Sequence, residues 1–278
     1  MAKKPRLATV LALDIGNTHV TVGTVRGEEV YSLHKLPADN LEALPALLAE
    51  LWDAMDKPRR IVASSVNPAA LERVRAAALA ALEEPLAVVG EDVAVPLQTA
   101  LKEPEKVGVD RLCAAAAAYG RLQQACVVVD LGTAVTIDCV DDEGIFRGGA
   151  ILPGMHMQAA ALHRSTAQLP EVVLRDPDWV FGRNTEEAIV GGIVYGVRGA
   201  VRERVEAYAT ELGQWPLVIF TGGDAELMKM EEGFVQATVP GLCLLGIALA
   251  FYGSLVSDEE KAAGDEEAEG PLDEEAEE

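Results

Sequence analysis

The chain has 278 residues, of which 50% are hydrophobic and 5% aromatic, and its formal net charge is −22 at pH 7. This length can bury one large core or two medium ones, and the composition is typical of an α/β protein, not of a disordered chain or a disulfide scaffold. Nucleic acid is a poor partner for so acidic a protein, because binding to phosphate backbones requires basic patches.

The first predicted element is an apolar strand at residues 7–13, which runs into the sequence DIGNT. Three basic residues precede it as in a signal peptide, but the apolar run is short and Asp14 ends it, so we predict no cleaved signal. A strand that ends in Asp-x-Gly turns tightly and can direct backbone N–H groups at a phosphate. Asp14 could also supply the carboxylate that a phosphate-bound Mg²⁺ requires. A plain turn is the alternative interpretation.

An amphipathic helix near residues 40–55, a strand at 60–64 and a helix at 68–82 are predicted next. An alanine-rich helix at about 110–120 opens with VGVDRL, which places Asp110 beside Arg111. This pair forms either a helix cap with a surface ion pair or the acceptor part of a kinase site. In a kinase, the carboxylate would orient and deprotonate the attacking hydroxyl, and the arginine would suit an acceptor that carries its own carboxylate.

A second strand and turn, CVVVDLGTAVTIDCV at residues 126–140, repeats the first pattern. Asp14 and Asp130 take matching positions, and each has a glycine two residues later, which indicates an internal duplication with a boundary near residue 115. Two such turns that face each other would hold a polyphosphate from both sides. The chain has no GxxxxGK[ST] and no strand-associated GxGxxG, which excludes P-loop and dinucleotide-binding sites.

A glycine-rich segment at 144–154 leads into a predicted helix at 155–163, and a long helix is predicted at about 185–210. Small residues recur on the long helix every three or four positions and would let another helix approach closely, in the core or across a dimer: Ala188, Gly192, Gly196 and Gly199. The strand at 216–220 runs into TGGDA, a third glycine loop that could hold the nucleoside. Three such loops in this order are the pattern of the actin, Hsp70 and sugar-kinase ATPases.

The last apolar stretch, residues 242–256, is shorter than the roughly 20 residues that a membrane span needs, so we predict a buried helix and no membrane association. Residues 257–278 hold 12 acidic residues and one lysine, which predicts a disordered acidic tail. The four cysteines show no metal-site or redox spacing, which indicates buried thiols in a reducing compartment. We therefore predict a cytoplasmic protein.

The segments DIGNTHV, GVDR, VVVDLGTAVTID, GGAILPG, STAQLP, GRNTEEAIVGG and TGGDA stand in the order and spacing of type III pantothenate kinases, which the chain resembles from about residue 8 to 253. The resemblance implies an α/β, actin-like (ribonuclease H-like) duplicated fold with a cleft between two similar domains, here residues 1–115 and 116–256. It also implies a homodimer that uses ATP to phosphorylate pantothenate, the first step of coenzyme A biosynthesis, without inhibition by coenzyme A.

The resemblance also implies roles for individual residues. In a type III pantothenate kinase, Asp110 would be the proton acceptor, Asp130 would bind a monovalent cation (K⁺ or NH₄⁺), and Asp14 would bind Mg²⁺ directly or through water. The ATP-binding residues would be Asp14, Ile15, Gly16, Asn17, Thr18, His19, Val20, Thr21 and Thr133. The pantothenate-binding residues would be Gly108, Val109, Asp110, Arg111 and Thr185, the last from the same chain or across the dimer.

Two positions depart from the common pattern of this family. Leu101 stands where many relatives have a tyrosine that could contact pantothenate, and His19 stands where asparagine is common. Two other functions remain open from the sequence, namely another actin-like small-molecule kinase or phosphatase, and a catalytically inactive regulatory paralogue. An inactive copy should have lost one of the three aspartates at positions 14, 110 and 130, and all three are present.

Overall fold

The computed structural model describes residues 8–268, and its first half is built around one mixed sheet. The central strand β1 (Thr9–Ile15) is antiparallel to β2 (His19–Arg26) and parallel to β5 (Arg59–Ser65). The other strands are β3 (Glu29–Val30), β4 (His34–Pro37) and β6 (Ala87–Val88), which give the order β3-β2-β1-β5-β6 with β4 also paired to β2.

The second sheet repeats this arrangement. Its central strand β8 (Cys126–Leu131) is antiparallel to β9 (Ala134–Val140) and parallel to β11 (Leu217–Thr221). The remaining strands are β7 (Gln98–Thr99), β10 (Ile145–Pro153) and β12 (Ala237–Thr238), in the order β12-β11-β8-β9-β10-β7. Because strand order and direction recur in both sheets, the fold is the predicted actin-like, duplicated ribonuclease H-like fold.

Four helices cover the outer faces of the sheets. Helices α1 (Leu44–Ala54) and α2 (Pro68–Leu82) pack on the first sheet, and α4 (Met155–Ser165) and α5 (Thr185–Leu212) on the second. Asparagine side chains cap two of them: Asn67 accepts a hydrogen bond from the backbone N–H of Ala70, and Asn184 from that of Glu187. The predicted helices agree with these bounds to within a few residues.

Two further helices lie between the sheets. Helix α3 (Val109–Leu122) packs against α6 (Leu242–Ala268), α3 also contacts strands of both sheets, and α6 contacts β1, β2 and β5. The two helices touch at Gly246, where a β-carbon would lie only 1.9 Å from the carbonyl oxygen of Cys113. Small residues at this crossing let the two halves of the molecule pack closely.

The domain organisation differs from the prediction at three points. The predicted boundary at residue 115 falls inside α3, while the chain changes sheets between β6 and β7. Helix α6, assigned by sequence to the second domain, packs on the first sheet, because its apolar face completes the core there. The predicted disordered tail begins inside α6, which continues through alanine- and glutamate-rich sequence to Ala268; the last ten residues of that tail lie outside the described residues.

Two remaining predictions concern membranes and cysteines. No helix within residues 8–268 combines the length and the apolar character that crossing a bilayer requires. All four cysteines are free and buried, as predicted.

Candidate active site

The first glycine loop connects β1 to β2 and carries Asp14 at its start. The backbone N–H of Gly16 donates to the carbonyl oxygen of His19 at 2.9 Å, which closes a tight turn. Asn17 and Thr18 at the tip are exposed and can reach a ligand. Of the other predicted ATP-binding residues, Ile15 and Val20 are fully buried in the core, so they can offer a ligand only their backbone groups.

Asp14 lies in a row of polar side chains that crosses the first sheet. Its register partners are Ser64 on β5 and Thr21 on β2, so all three side chains are on the face of the sheet that α3 and α6 cover. The Ser64 hydroxyl donates to Asp14 Oδ1 at 3.0 Å. This hydrogen bond fixes one carboxylate oxygen of Asp14.

The second glycine loop connects β8 to β9 and matches the first. Asp130 has Thr221 on the parallel strand and Thr136 on the antiparallel strand as register partners, so a hydroxyl residue flanks it on each side, as at Asp14. The Thr133 hydroxyl donates to the hydroxyl of Thr18 at 3.1 Å. The structure therefore brings the two predicted phosphate loops into contact across the cleft.

The third loop, TGGDA, is packed on the second. Gly222 has a φ of +92°, and a β-carbon on it would lie 2.4 Å from the carbonyl oxygen of Leu131 and 2.5 Å from Asp130 Oδ1, so only glycine fits. Asp224 donates its backbone N–H to the same carbonyl of Leu131 at 2.9 Å. On its other side, the Asp224 carboxylate lies 3.3 Å from Nε2 of His156 on α4. The loop is thus held against the Asp130 carboxylate.

Three carboxyl groups facing the cleft have raised pKa values. Burial, followed by the charge of Asp110, raises the pKa of Asp14 to about 6 against the hydrogen bond from Ser64. Burial, followed by the charges of Asp14, Asp110 and Asp138, raises the pKa of Asp130 to about 7. Burial also raises the pKa of Asp110, although the backbone N–H of Arg111 donates to it at 2.8 Å. Such mutual repulsion in a cleft is typical of a site that binds cations or acts on protons.

Arg111 is held by a residue that the sequence analysis did not single out. Its Nε donates to both oxygens of Asp138 on β9, at 3.2 and 3.1 Å, and its Nη2 donates to Oδ1. The Asp138 side chain is only 2% exposed, and Gly149 on β10 makes room for it, since a β-carbon there would lie 2.2 Å from Asp138 Oδ1. The sequence could have indicated this pairing. Asp138 lies in a strand of alternating apolar residues, and a buried carboxylate there needs a cationic partner.

The remaining predicted substrate residues divide into two groups. Gly108 and Val109 lie at the start of α3 beside Asp110, and a β-carbon on Gly108 would come within 2.5 Å of Asp110 Oδ1. Thr185 begins α5 and is exposed, and within the described residues no hydrogen bond or ion pair joins it to the others. Leu101 packs against the cluster of apolar residues that includes Phe146, so its side chain is part of the core there.

The site offers oxygen donors for cations. Among the side chains that the structure describes, residues 8–255, no group of three His, Cys, Asp or Glu is close enough to hold a metal ion by itself. The Asp130 carboxylate accepts no hydrogen bond from the part of the chain that the structure describes, and its pKa is raised partly by neighbouring carboxylates. These all-oxygen, mutually repelling donors fit hard cations that complete their coordination with phosphate oxygens and water.

Sequence comparisons agree on one family. Residues 10–207 match the family described as type III pantothenate kinase. A type III pantothenate kinase of Dehalococcoides mccartyi (strain ATCC BAA-2266 / KCTC 15142 / 195) is 34% identical over 251 residues, which cover 87% of this chain and 96% of the relative. One from Frankia alni is 32% identical over 246 residues, covering 87% and 98%.

Solved structures support the fold. A Baf family protein from Campylobacter jejuni is 21% identical, with a TM-score of 0.58 over 88% of this chain and 98% of that one. The ethanolamine utilization protein EutJ from Carboxydothermus hydrogenoformans is 17% identical, with a TM-score of 0.50 over 90% and 92%. At these identities the likeness concerns the fold alone.

Proposed function

The chain belongs to the type III pantothenate kinase family, and we propose that the three aspartates at its cleft carry out the family's reaction. The protein transfers a phosphoryl group from ATP to pantothenate, the first step of coenzyme A biosynthesis. The observation that carries the assignment of the site is the joint placement of Asp14, Asp130 and Asp110. The charge of Asp110 helps to raise the pKa of Asp14, and the charges of Asp14 and Asp110 help to raise the pKa of Asp130.

The three glycine loops bind ATP in this proposal. The backbone N–H groups and the exposed Asn17 and Thr18 of the first loop bind phosphate oxygens, and Thr133 binds them from the other side. The hydrogen bond between Thr18 and Thr133 supports this, because it puts both hydroxyls at one point of the cleft. The TGGDA loop, packed against Asp130, takes the nucleoside.

In this proposal Asp110 and Arg111 bind and activate the acceptor, pantothenate. Asp110 accepts the proton of the pantothenate hydroxyl, and its raised pKa makes it a stronger base than an ordinary aspartate. Arg111 uses Nε and Nη2 for Asp138, which leaves Nη1 to bind the pantothenate carboxylate in this proposal. Phosphoryl transfer has a loose transition state, so such positioning and charge neutralisation carry most of the catalysis.

Cations complete the site. Asp14 would hold Mg²⁺ directly or through water, and Asp130 a monovalent cation such as K⁺ or NH₄⁺. When bound, these ions neutralise charge that develops on the transferred phosphoryl group. The protein's own contribution is to present the two carboxylates from matching positions of the two sheets.

We further propose a cytoplasmic homodimer. The small-residue stripe of α5 supports the dimer, because Gly192, Gly196 and Gly199 are exposed and a β-carbon on any of them would meet no atom of the described residues within 4 Å. The alternative left open by the sequence, packing in the core of one chain, has less support, because no described residue packs on these glycines. The four free cysteines support a reducing compartment.

Steady-state assays with ATP and Mg²⁺ test the function. We expect turnover of pantothenate with K⁺ or NH₄⁺ and little with Na⁺ alone, and no comparable turnover of a panel of sugars. Asp110→Asn should keep ADP affinity and lose about 10²- to 10⁴-fold in kcat. Near-normal kcat in this variant would disprove the base assignment, and turnover of sugars only would disprove the choice of acceptor.

A further inference from the structure

Lys35 extends the polar row of the first sheet. It lies on β4 as the register partner of Thr21, which in turn pairs with Asp14. Register partners in neighbouring strands point to the same face, so Lys35 is on the cleft side with Asp14, two strands away or about 10 Å. A lysine side chain is long enough to reach back over much of this distance toward the phosphate loop.

The ammonium group reaches the other half of the molecule. A β-carbon built on Gly223 would lie 3.4 Å from Lys35 Nζ. Gly223 belongs to the TGGDA loop, which follows β11 of the second sheet, whereas Lys35 belongs to the first sheet. Lys35 therefore spans the cleft mouth between the first and third glycine loops.

Its charge is free for a ligand. Lys35 is exposed and forms no ion pair with any carboxylate among residues 8–255. Its charge nevertheless lowers the pKa values of both Asp14 and Asp130, so the ammonium is electrostatically close to both phosphate-loop aspartates. An unpaired cation at the mouth of an acidic nucleotide cleft is placed to bind anionic oxygens.

The internal duplication shows that this lysine is not part of the common scaffold. In the second sheet, Thr136 is equivalent to Thr21, and its register partner on β10 is Ile151, which is 63% exposed. The hydroxyl residues that flank the aspartates occur in both halves of the molecule, but the lysine occurs only in the first half. A charged residue that only one half carries is expected where the two halves contact different parts of the ligand.

From these relationships we propose that Lys35 binds the polyphosphate of ATP and, by contacting it beside Gly223, ties the two halves of the cleft around the nucleotide. This rests on the proposed assignment of the glycine loops to ATP. Lys35 would contribute a charge-assisted hydrogen bond to a phosphate oxygen, as lysines do in other phosphotransferases.

Three variants test the role of Lys35. Lys35→Met removes the charge and keeps the length, Lys35→Arg keeps the charge, and Lys57→Met is the control. Lys57 is exposed and lies beside Pro58, whose carbonyl accepts from Thr9 at the start of β1, the opposite end from Asp14. We expect Lys35→Met to lower kcat/KM for ATP by about 10- to 100-fold, with pantothenate KM within twofold, and Lys35→Arg to retain most activity.

Calorimetric titration with ADP and with adenosine separates this proposal from the proposed function. Lys35→Met should weaken ADP binding by about tenfold or more and leave adenosine binding unchanged, whether or not the wild-type protein turns over pantothenate. An unchanged ADP affinity overturns the proposal. An equal loss for adenosine also overturns it, since it would show that Lys35 only shapes the third loop. Lys57→Met should match the wild type in every measurement.

Discussion

Arg111 and Asp138 form an ion pair that joins the first turn of α3 to the inner face of β9. The pair fixes the guanidinium plane directly beside Asp110, whose carboxylate accepts from the backbone N–H of Arg111. Asp138 therefore acts through Arg111: it would touch no substrate, yet it determines where the remaining N–H groups of the arginine point.

Replacing Asp138 with asparagine should release this guanidinium. The side chain keeps its size but loses the charge, so Arg111 remains partly buried without a full counter-ion. We expect pantothenate KM to rise by about tenfold or more while ADP affinity stays near that of the wild type. Asp141→Asn is the matched control, because Asp141 is also buried and pairs with an arginine, Arg147, at 3.3 Å. A similar rise in pantothenate KM in both variants would contradict the positioning role.

The raised pKa of Asp130 predicts a stability cost at neutral pH. Its pKa is about 7 in the folded protein against an ordinary value of 3.8, so between these values the folded state binds more protons than the unfolded state. The free energy of unfolding therefore falls as pH rises through this window. Asp130→Asn removes this destabilisation, and at pH 8 without cations it should be more stable than wild type by up to about 4 kcal/mol.

Urea unfolding of both proteins at pH 5 and pH 8 checks this difference. The advantage of Asp130→Asn should be smaller at pH 5 than at pH 8, while the variant loses kinase activity. Adding K⁺ at pH 8 should stabilise the wild type more than the variant if Asp130 binds the ion. If Asp130→Asn were less stable than wild type at pH 8, the charged Asp130 carboxylate would not destabilise the fold at that pH.

The glycine at position 222 should be irreplaceable for steric reasons. In Gly222→Ala the new methyl group would collide with the Leu131 carbonyl and with Asp130 Oδ1, so the third loop must move away from the cleft. Gly233→Ala is the control, because Gly233 also has a positive φ, +82°, but a β-carbon there meets nothing within 4 Å in the described part of the chain. We expect Gly222→Ala to weaken ADP binding at least tenfold and Gly233→Ala to change only stability, by about 1 kcal/mol. Equal ADP affinities in both would show that the loop does not touch the nucleotide.

Local sequence signals predicted the strands, the helices and the three glycine loops, because each depends on periodicity and turn residues that are neighbours in the chain. The pairing of Asp138 with Arg111 and the reach of Lys35 to Gly223 depend on side chains that only the packed fold brings together. The position of α6 was missed for a related reason. Its apolar face is evident in the sequence, but nothing local shows which sheet it covers.

The exposed stripe of α5 predicts how the proposed dimer can be broken. Gly192→Leu should not harm the single chain, because no atom of the described residues lies within 4 Å of the β-carbon position and leucine favours helix over glycine by about 1 kcal/mol. If α5 packs against its copy, the leucine prevents close approach, and light scattering should show a monomer. Ala76→Leu, at an exposed position of α2, should leave the dimer intact. A dimeric Gly192→Leu protein would place the interface elsewhere.

The Gly192→Leu variant also tests whether Thr185 contacts pantothenate in its own chain or in the partner subunit. Thr185 is exposed and is not joined to Asp110 by any hydrogen bond within the described part of one chain, so its proposed contact with pantothenate is best explained if the partner subunit supplies it. Thr185→Ala should then raise pantothenate KM in the dimer, and it should add nothing to the KM of a monomeric Gly192→Leu protein. Additive effects of the two substitutions on pantothenate KM would instead show that Thr185 serves the cleft of its own chain.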